Sequence, residues 1–316
     1  MLQASDLFGA AAAPVVARVR LYADEIKPYT NCVGQRWMYI ALLAIQDQHS
    51  AKALQYLEDE RRAGGYPREI HFKELKDPSE GTYGAKTAVA TRWVNRILRD
   101  HEKMFHFYLL GLNLSNLQHS AFGTGREKHR NVYNRFFRSA VAYTLKAFFG
   151  SHRPIKVSEI FHDRNDMDKD DLFDWHTIWK LSSPDEGITF ASDRIQFIDS
   201  DHEKEVNFPQ DSHFIQLVDV LAGAISHCLD DRNTKAGCRE VAECLLPLVE
   251  RLTDPARHRN PNSQYRYHRR ISVGFFPDTR LTLRQLQDPF ERVHSSFYID
   301  RRLLLRERLA GQLKLL

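Results

Sequence analysis

The sequence predicts an α/β layered domain built on a mixed sheet, and three observations carry that expectation. Residues 15–25 alternate apolar and polar with the period of a half-buried strand. Later apolar runs at 104–114, 154–163 and 194–200 are separated by segments with helical spacing, the pattern of strands alternating with helices. The composition, 42% hydrophobic and 27% charged over 316 residues without repeats or low-complexity tracts, is enough to bury a full core.

The first strand, "VVARVRLYADE", sets Val15, Ala17, Val19, Leu21 and Ala23 on one face and ends at Asp24 and Glu25. "QRWMYIALLAI", 35–45, is the expected partner strand, joined through the turn-like "KPYTN". A helix near 50–62 stops at the breakers Gly64, Gly65 and Pro67. "REIHFKELKD", 68–77, is expected as the third strand, with Glu69 and His71 on one face and Ile70 and Phe72 on the other. Val89, Trp93 and Ile97, four residues apart, mark a helix over 84–100. The continuous apolar run "MFHFYLLGLNL" is a buried strand. A helix over 127–149 follows, on which Tyr133 and Arg135 are candidates for phosphate contacts. "PIKVSEIFHD" is a strand ending at Asp163, followed by a short helix over 170–181 and a strand in "RIQFIDS". Residues 211–229 make a strongly apolar helix, and further helices are expected over 238–252 and 281–313, with a short strand at "ISVGFF". These elements divide into a main domain, 1–235, and a mostly helical extension, 236–316, packed on it. The extension is basic: from Arg257 to Leu316 there are thirteen Lys or Arg and five Asp or Glu.

Several classes are disfavoured. The apolar N-terminal stretch "LFGAAAAPVVA" has no preceding Lys or Arg, unlike a secretory signal, and no run is read as a membrane span. The four cysteines, Cys32, Cys228, Cys238 and Cys244, form no CxxC pair, so neither a zinc site nor a disulfide framework is indicated. A cytoplasmic protein without membrane partners is the expectation.

Four acids occupy comparable places in this scheme: Asp24, Glu69, Asp163 and Asp219. Asp219 is the most informative, because Phe214, Ile215, Leu217, Val218, Val220, Leu221 and Ile225 surround it in sequence. A charge there is costly unless paired or bound to metal. Gln216, Asp219 and Gly223 recur at helical spacing as a narrow polar stripe. Converging carboxylates suit oxygen-preferring Mg²⁺ or Mn²⁺, and four acids suit two ions. Three of these acids also have an ordinary reading: Asp24 as a turn residue, Glu69 as an exposed strand charge, Asp163 as a helix cap. Glu25, His71, Asp199, Asp201 and Gln216 are supporting candidates, with Glu25 pointed by strand alternation away from Asp24.

The ordered segments "LYADE", "REIHFKEL", "IFHDRND" and "IQFIDS…HFIQLVDVLAGAI" resemble the four motifs of the family called domain of unknown function 3800, itself similar to the ribonuclease H-like superfamily. The likeness covers roughly 17–230. It implies a mixed five-stranded sheet flanked by helices, with acids on the first strand, a neighbouring strand, the fourth strand and a following helix. Asp24, Glu69, Asp163 and Asp219 match those places. Ile26 stands where the family usually has a small residue, commonly serine. The resemblance further implies association with mobile elements or defence.

The leading expectation is a metal-dependent nuclease that hydrolyses DNA or RNA by a two-metal mechanism, with those four acids as ligands. The alternative is a non-catalytic nucleic-acid-binding or assembly protein that keeps the fold. A two-carboxylate glycosidase ranks last, because it leaves two acids unexplained.

Overall fold

The computed structural model describes residues 16–253 and 270–276, apart from 32–33, 78, 118, 124, 126, 151–153, 165–180, 183–186, 193 and 231–234. The helices expected over 170–181 and 281–313, and most of the basic C-terminal stretch, lie outside the described residues. The rest is α/β, with seven strands and five helices among the described residues.

The strands are β1 (Ala17–Thr30), β2 (Arg36–Gln46), β3 (Phe105–Asn113), β4 (Ile155–Asp163), β5 (Ile188–Phe190), β6 (Ile195–Ile198) and β7 (Ile271–Phe276). They form one sheet in the order β5-β4-β1-β2-β3-β7, with β6 also pairing β4 beyond β5. β1–β2 and β2–β3 are antiparallel; β1–β4, β4–β5, β4–β6 and β3–β7 are parallel. The sheet has seven strands where the resemblance implies five. β5 is only three residues long, and β7 closes the far edge against β3.

The helices are α1 (Asp47–Gly64), α2 (Thr82–Leu98), α3 (Glu127–Phe149), α4 (Pro209–Leu229) and α5 (Ala236–Leu252). Alternation along β1 divides the core. Val19, Leu21 and Ala23 pack with Val132, Phe136 and Phe137 of α3 on one face, while Tyr22 packs with Phe214 and Phe161 on the other. That second face is covered by α1, α2, α4 and α5. Burial on both faces explains why β2 and β3 are apolar almost throughout, as central strands of a layered domain are. α5 and β7 belong to this same core, through Val241, Leu245, Val249, Ile271 and Phe275.

β1 does not end at Glu25. It runs to Thr30, with a register shift between Ile26 and Tyr29, so "KPYT" is strand rather than turn. "REIHFKELKD" is not a third strand either. It is extended backbone interrupted by a short 3₁₀ turn, Phe72–Glu74, and it pairs with no strand among the described residues. The alternation is nevertheless real, since Ile70 and Phe72 are buried while Glu69 and His71 lie on the other side. The segment lies against α4 and α5 rather than in the sheet. The close approach depends on glycine: a Cβ on Gly223 would fall inside Phe72, and one on Gly237 would overlap the Lys76 carbonyl.

α4 is long and apolar enough to cross a membrane by length and composition, and its residues are buried inside the fold. From Asp211 to Leu229 every residue is buried except Asp219.

Candidate active site

The last β1–β4 pair is Ala23 with His162; beyond it, Asp163 pairs with Ile198 of β6 while β1 continues alone along that edge. The parting of these two parallel strands opens a cleft of about 540 Å³ at the carboxyl end of β4, the place where layered α/β sheets bind ligands. Asp24 and Glu25 enter it from β1, Asp163 from β4, Asp219 from α4 and His71 from the extended segment.

Asp24, Asp163 and Asp219 act on one another electrostatically. Burial, then the charges of Asp219, Asp163 and Glu25, push the Asp24 carboxyl well above its usual range. Burial, then Asp219, raises Asp163 to about 6, against pulls downward from Ser200 and His71. Glu25 rises to about 7 through burial and Asp163. Clustered carboxylates shielded from water resist joint ionisation. Asp24 Oδ1 accepts the Glu25 N–H at 2.8 Å, whereas the buried Oδ1 of Asp163 accepts no hydrogen bond among the described residues.

Glu69 is brought near these acids, but through other groups. Ser200 Oγ donates to its Oε1 at 2.7 Å, and His71 Nε2 lies 2.8 Å from the same oxygen. His71 Nδ1 lies 3.3 Å from Asp219 Oδ2, which also accepts the Phe72 N–H at 2.9 Å. The imidazole thus bridges Asp219 and Glu69, and those two hydrogen bonds raise its pKa to about 10. Burial pushes Glu69 up, but the bonds from His71 and Ser200 outweigh it and hold the carboxyl below its usual range. Glu69 does not share a sheet face with Asp24, because it is not in the sheet. His71, a supporting candidate by sequence, is the cation of the cluster; its signal was the two-residue spacing from Glu69.

Strand alternation does send Glu25 away from Asp24, towards α3, where its Oε2 lies 3.6 Å from His162 Nε2. Both acids still border the cleft, because the cleft lies at the edge of β1 and reaches both faces. Tyr133 faces inward and is not placed to meet phosphates: its hydroxyl donates to His162 Nε2 at 2.8 Å, while His162 Nδ1 donates to the Asp163 carbonyl.

Gln216 organises the extended segment. Its Oε1 accepts from the Ile70 N–H at 3.1 Å and from Arg61 Nη2 at 2.7 Å, and its Nε2 donates to the Ser200 carbonyl at 2.6 Å. Arg61, buried and unforeseen, also donates to the carbonyls of Tyr66, Pro67 and Arg68 and lies over the Trp93 ring. Asp199 and Asp201 shape the loop after β6: Asp199 Oδ1 accepts the Asp201 N–H, and Asp201 pairs with Lys204.

The donors fit a hard cation: carboxylates from three elements face one cleft, and a buried Asp163 oxygen lacks a hydrogen bond. With the side chains as they stand, no three His, Cys, Asp or Glu among the described residues form a ready metal-binding group, and His71 holds Asp219 instead.

Fold and cleft together define an α/β protein with an acidic site at the carboxyl ends of its strands. Comparison with family models, curated proteins and solved structures gives no match to the chain.

Proposed function

We propose that the cleft is the active site of a divalent-metal-dependent nuclease with a ribonuclease H-like arrangement, cutting phosphodiester bonds of DNA or RNA. The observation that carries this reading is the facing set of Asp24, Asp163 and Asp219: burial of the first two and the charge of Asp219 beside them make these acids poor neighbours without a metal cation. Their places, on the first strand, at the end of the fourth and on a following helix, agree with the order expected from the resemblance. Asp24, Asp163 and Asp219 would hold Mg²⁺ or Mn²⁺, with Glu69 completing the set through a change of partner from His71. Bound ions would supply Lewis-acid stabilisation of the attacking and leaving oxygens of an in-line displacement.

The chain's own residues supply the rest. Gln216 and Arg61 hold the backbone at Ile70, so that His71 faces the cleft with Glu69 hydrogen-bonded behind it. Phe72 N–H fixes Asp219, and Ser200 fixes Glu69. His71, charged at neutral pH, neutralises Asp219 and Glu69 before substrate enters.

Purified protein with Mn²⁺ is expected to cut DNA or RNA oligonucleotides, and Asp24→Asn or Asp219→Asn to lower the rate at least 100-fold. Cutting that survives both substitutions removes the assignment.

A second reading has its own observation. The His71 cation already bridges Glu69 and Asp219, an arrangement that also suits a non-catalytic nucleic-acid-binding or assembly protein without a metal. Titration of Mn²⁺ separates the two, because that protein shows no binding that depends on Asp24.

A further inference from the structure

Two lysines border the cleft together with the acids. Lys27 comes from the part of β1 beyond Glu25, and Lys73 from the 3₁₀ turn after His71; both are exposed. Lys27 acts on the Glu25 carboxyl, and Lys73 makes no ion pair among the described residues. A third ammonium is adjacent, since Lys235 Nζ donates to the Lys73 carbonyl at 2.6 Å. A recess with acids inside and ammonium groups at its lip attracts a polyanion while repelling it from the floor. The lysines therefore suit the phosphates flanking the one that enters.

The shape narrows the substrate further. At about 540 Å³ the cleft falls within the roughly 300–1,000 Å³ of pockets that enclose one small molecule. The Asp163 Oδ1 it leads to is fully shielded from solvent. A duplex is stiff over about 150 base pairs and carries its phosphates on a regular outer contour, so drawing one phosphate into a recess costs it deformation energy. A single strand bends at every linkage and can do so.

Resting on the nuclease reading, we infer that the cleft takes single-stranded nucleic acid, with Lys27 and Lys73 gripping the phosphates on either side of the unit that enters. The grip is on the backbone, so it selects strandedness rather than base sequence.

The test uses the full-length protein in EDTA, where no cutting interferes, with a labelled 20-nucleotide single strand and the same sequence closed as a hairpin duplex. Fluorescence anisotropy is expected to show the single strand bound at least 10-fold tighter. Lys27→Ala with Lys73→Ala should weaken that binding about 10-fold and lower the slope of log affinity against log salt by about 1.4, at roughly 0.7 per phosphate contact. Lys27→Arg with Lys73→Arg should restore it, which excludes misfolding as the cause. Equal or tighter duplex binding overturns the inference, as does single-strand binding indifferent to both lysines. If Mn²⁺-dependent cutting persists alongside either result, the nuclease reading stands and only the inference falls. If nothing is bound and nothing is cut, both fall.

Discussion

Replacing Asp163 with asparagine should make the metal-free protein more stable at neutral pH. The Asp163 carboxyl is raised from 3.8 to about 6, first by burial and then by Asp219. Between about pH 4 and 6 the folded protein keeps a proton that the unfolded chain has lost, so this group's contribution makes stability fall as pH rises through that window. Above it, the whole shift corresponds to roughly 3 kcal/mol; solvent at the partly exposed edge of the carboxylate reduces the expectation to about 1 to 3 kcal/mol. At about 2 °C per kcal/mol for a chain of this length, Asp163→Asn should melt roughly 2 to 6 °C higher than wild type at pH 8 in EDTA. At pH 4.5 only about a third of the difference should remain. Saturating Mn²⁺ should reverse the order, because the native set gains about 2.7 kcal/mol at a hundred times its Kd. Scanning fluorimetry or circular dichroism at the two pH values, with and without Mn²⁺, decides the matter. A wild type that melts no lower than the variant at pH 8 in EDTA refutes the picture of mutually destabilised acids.

Other substitutions probe the scaffold. His71→Ala strips a cation from Glu69 and Asp219 and should destabilise the metal-free protein by about 1 to 3 kcal/mol, read by urea unfolding. Gly223→Ala places a methyl inside Phe72, so it should cost about 1 to 3 kcal/mol and lower the cutting rate by displacing the turn beside His71. Mn²⁺ affinity should fall as pH drops from 8 towards 6, because Glu25 near 7 and Asp163 near 6 take up protons; calorimetry in buffers of different ionisation enthalpy should detect proton release on binding. Arg61→Met leaves the carbonyls of Tyr66, Pro67 and Arg68 and the Gln216 oxygen without their shared donor, and amide exchange over residues 66–72 should speed up.

The elements foreseen best are those whose own period matches their burial. β1 alternates because α3 and α4 cover its two faces, and α3 and α4 follow their helical patterns closely. Asp219 stood out in the sequence for the reason it matters in the fold: it is the one unburied position in nineteen residues of buried helix. "REIHFKELKD" misled because alternation reports an extended chain with two different faces, not its hydrogen-bond partners. Ile70 and Phe72 give their N–H groups to the side chains of Gln216 and Asp219, which no local pattern encodes. β5, at three residues, is too short to carry a period. Arg61 and Tyr133 have their roles fixed by partners 155 and 29 residues away, respectively. Neighbours in sequence say nothing about such pairs.

The central claim is that Asp24, Asp163 and Asp219 converge on divalent cations. Anomalous diffraction from a crystal soaked in Mn²⁺ tests it most directly. The account predicts manganese peaks in the cleft, about 2.1 Å from carboxylate oxygens of those three residues, with His71 moved off Asp219. Anomalous density confined to the surface, with the His71 bridge intact and the cleft free of manganese at saturating concentration, contradicts it.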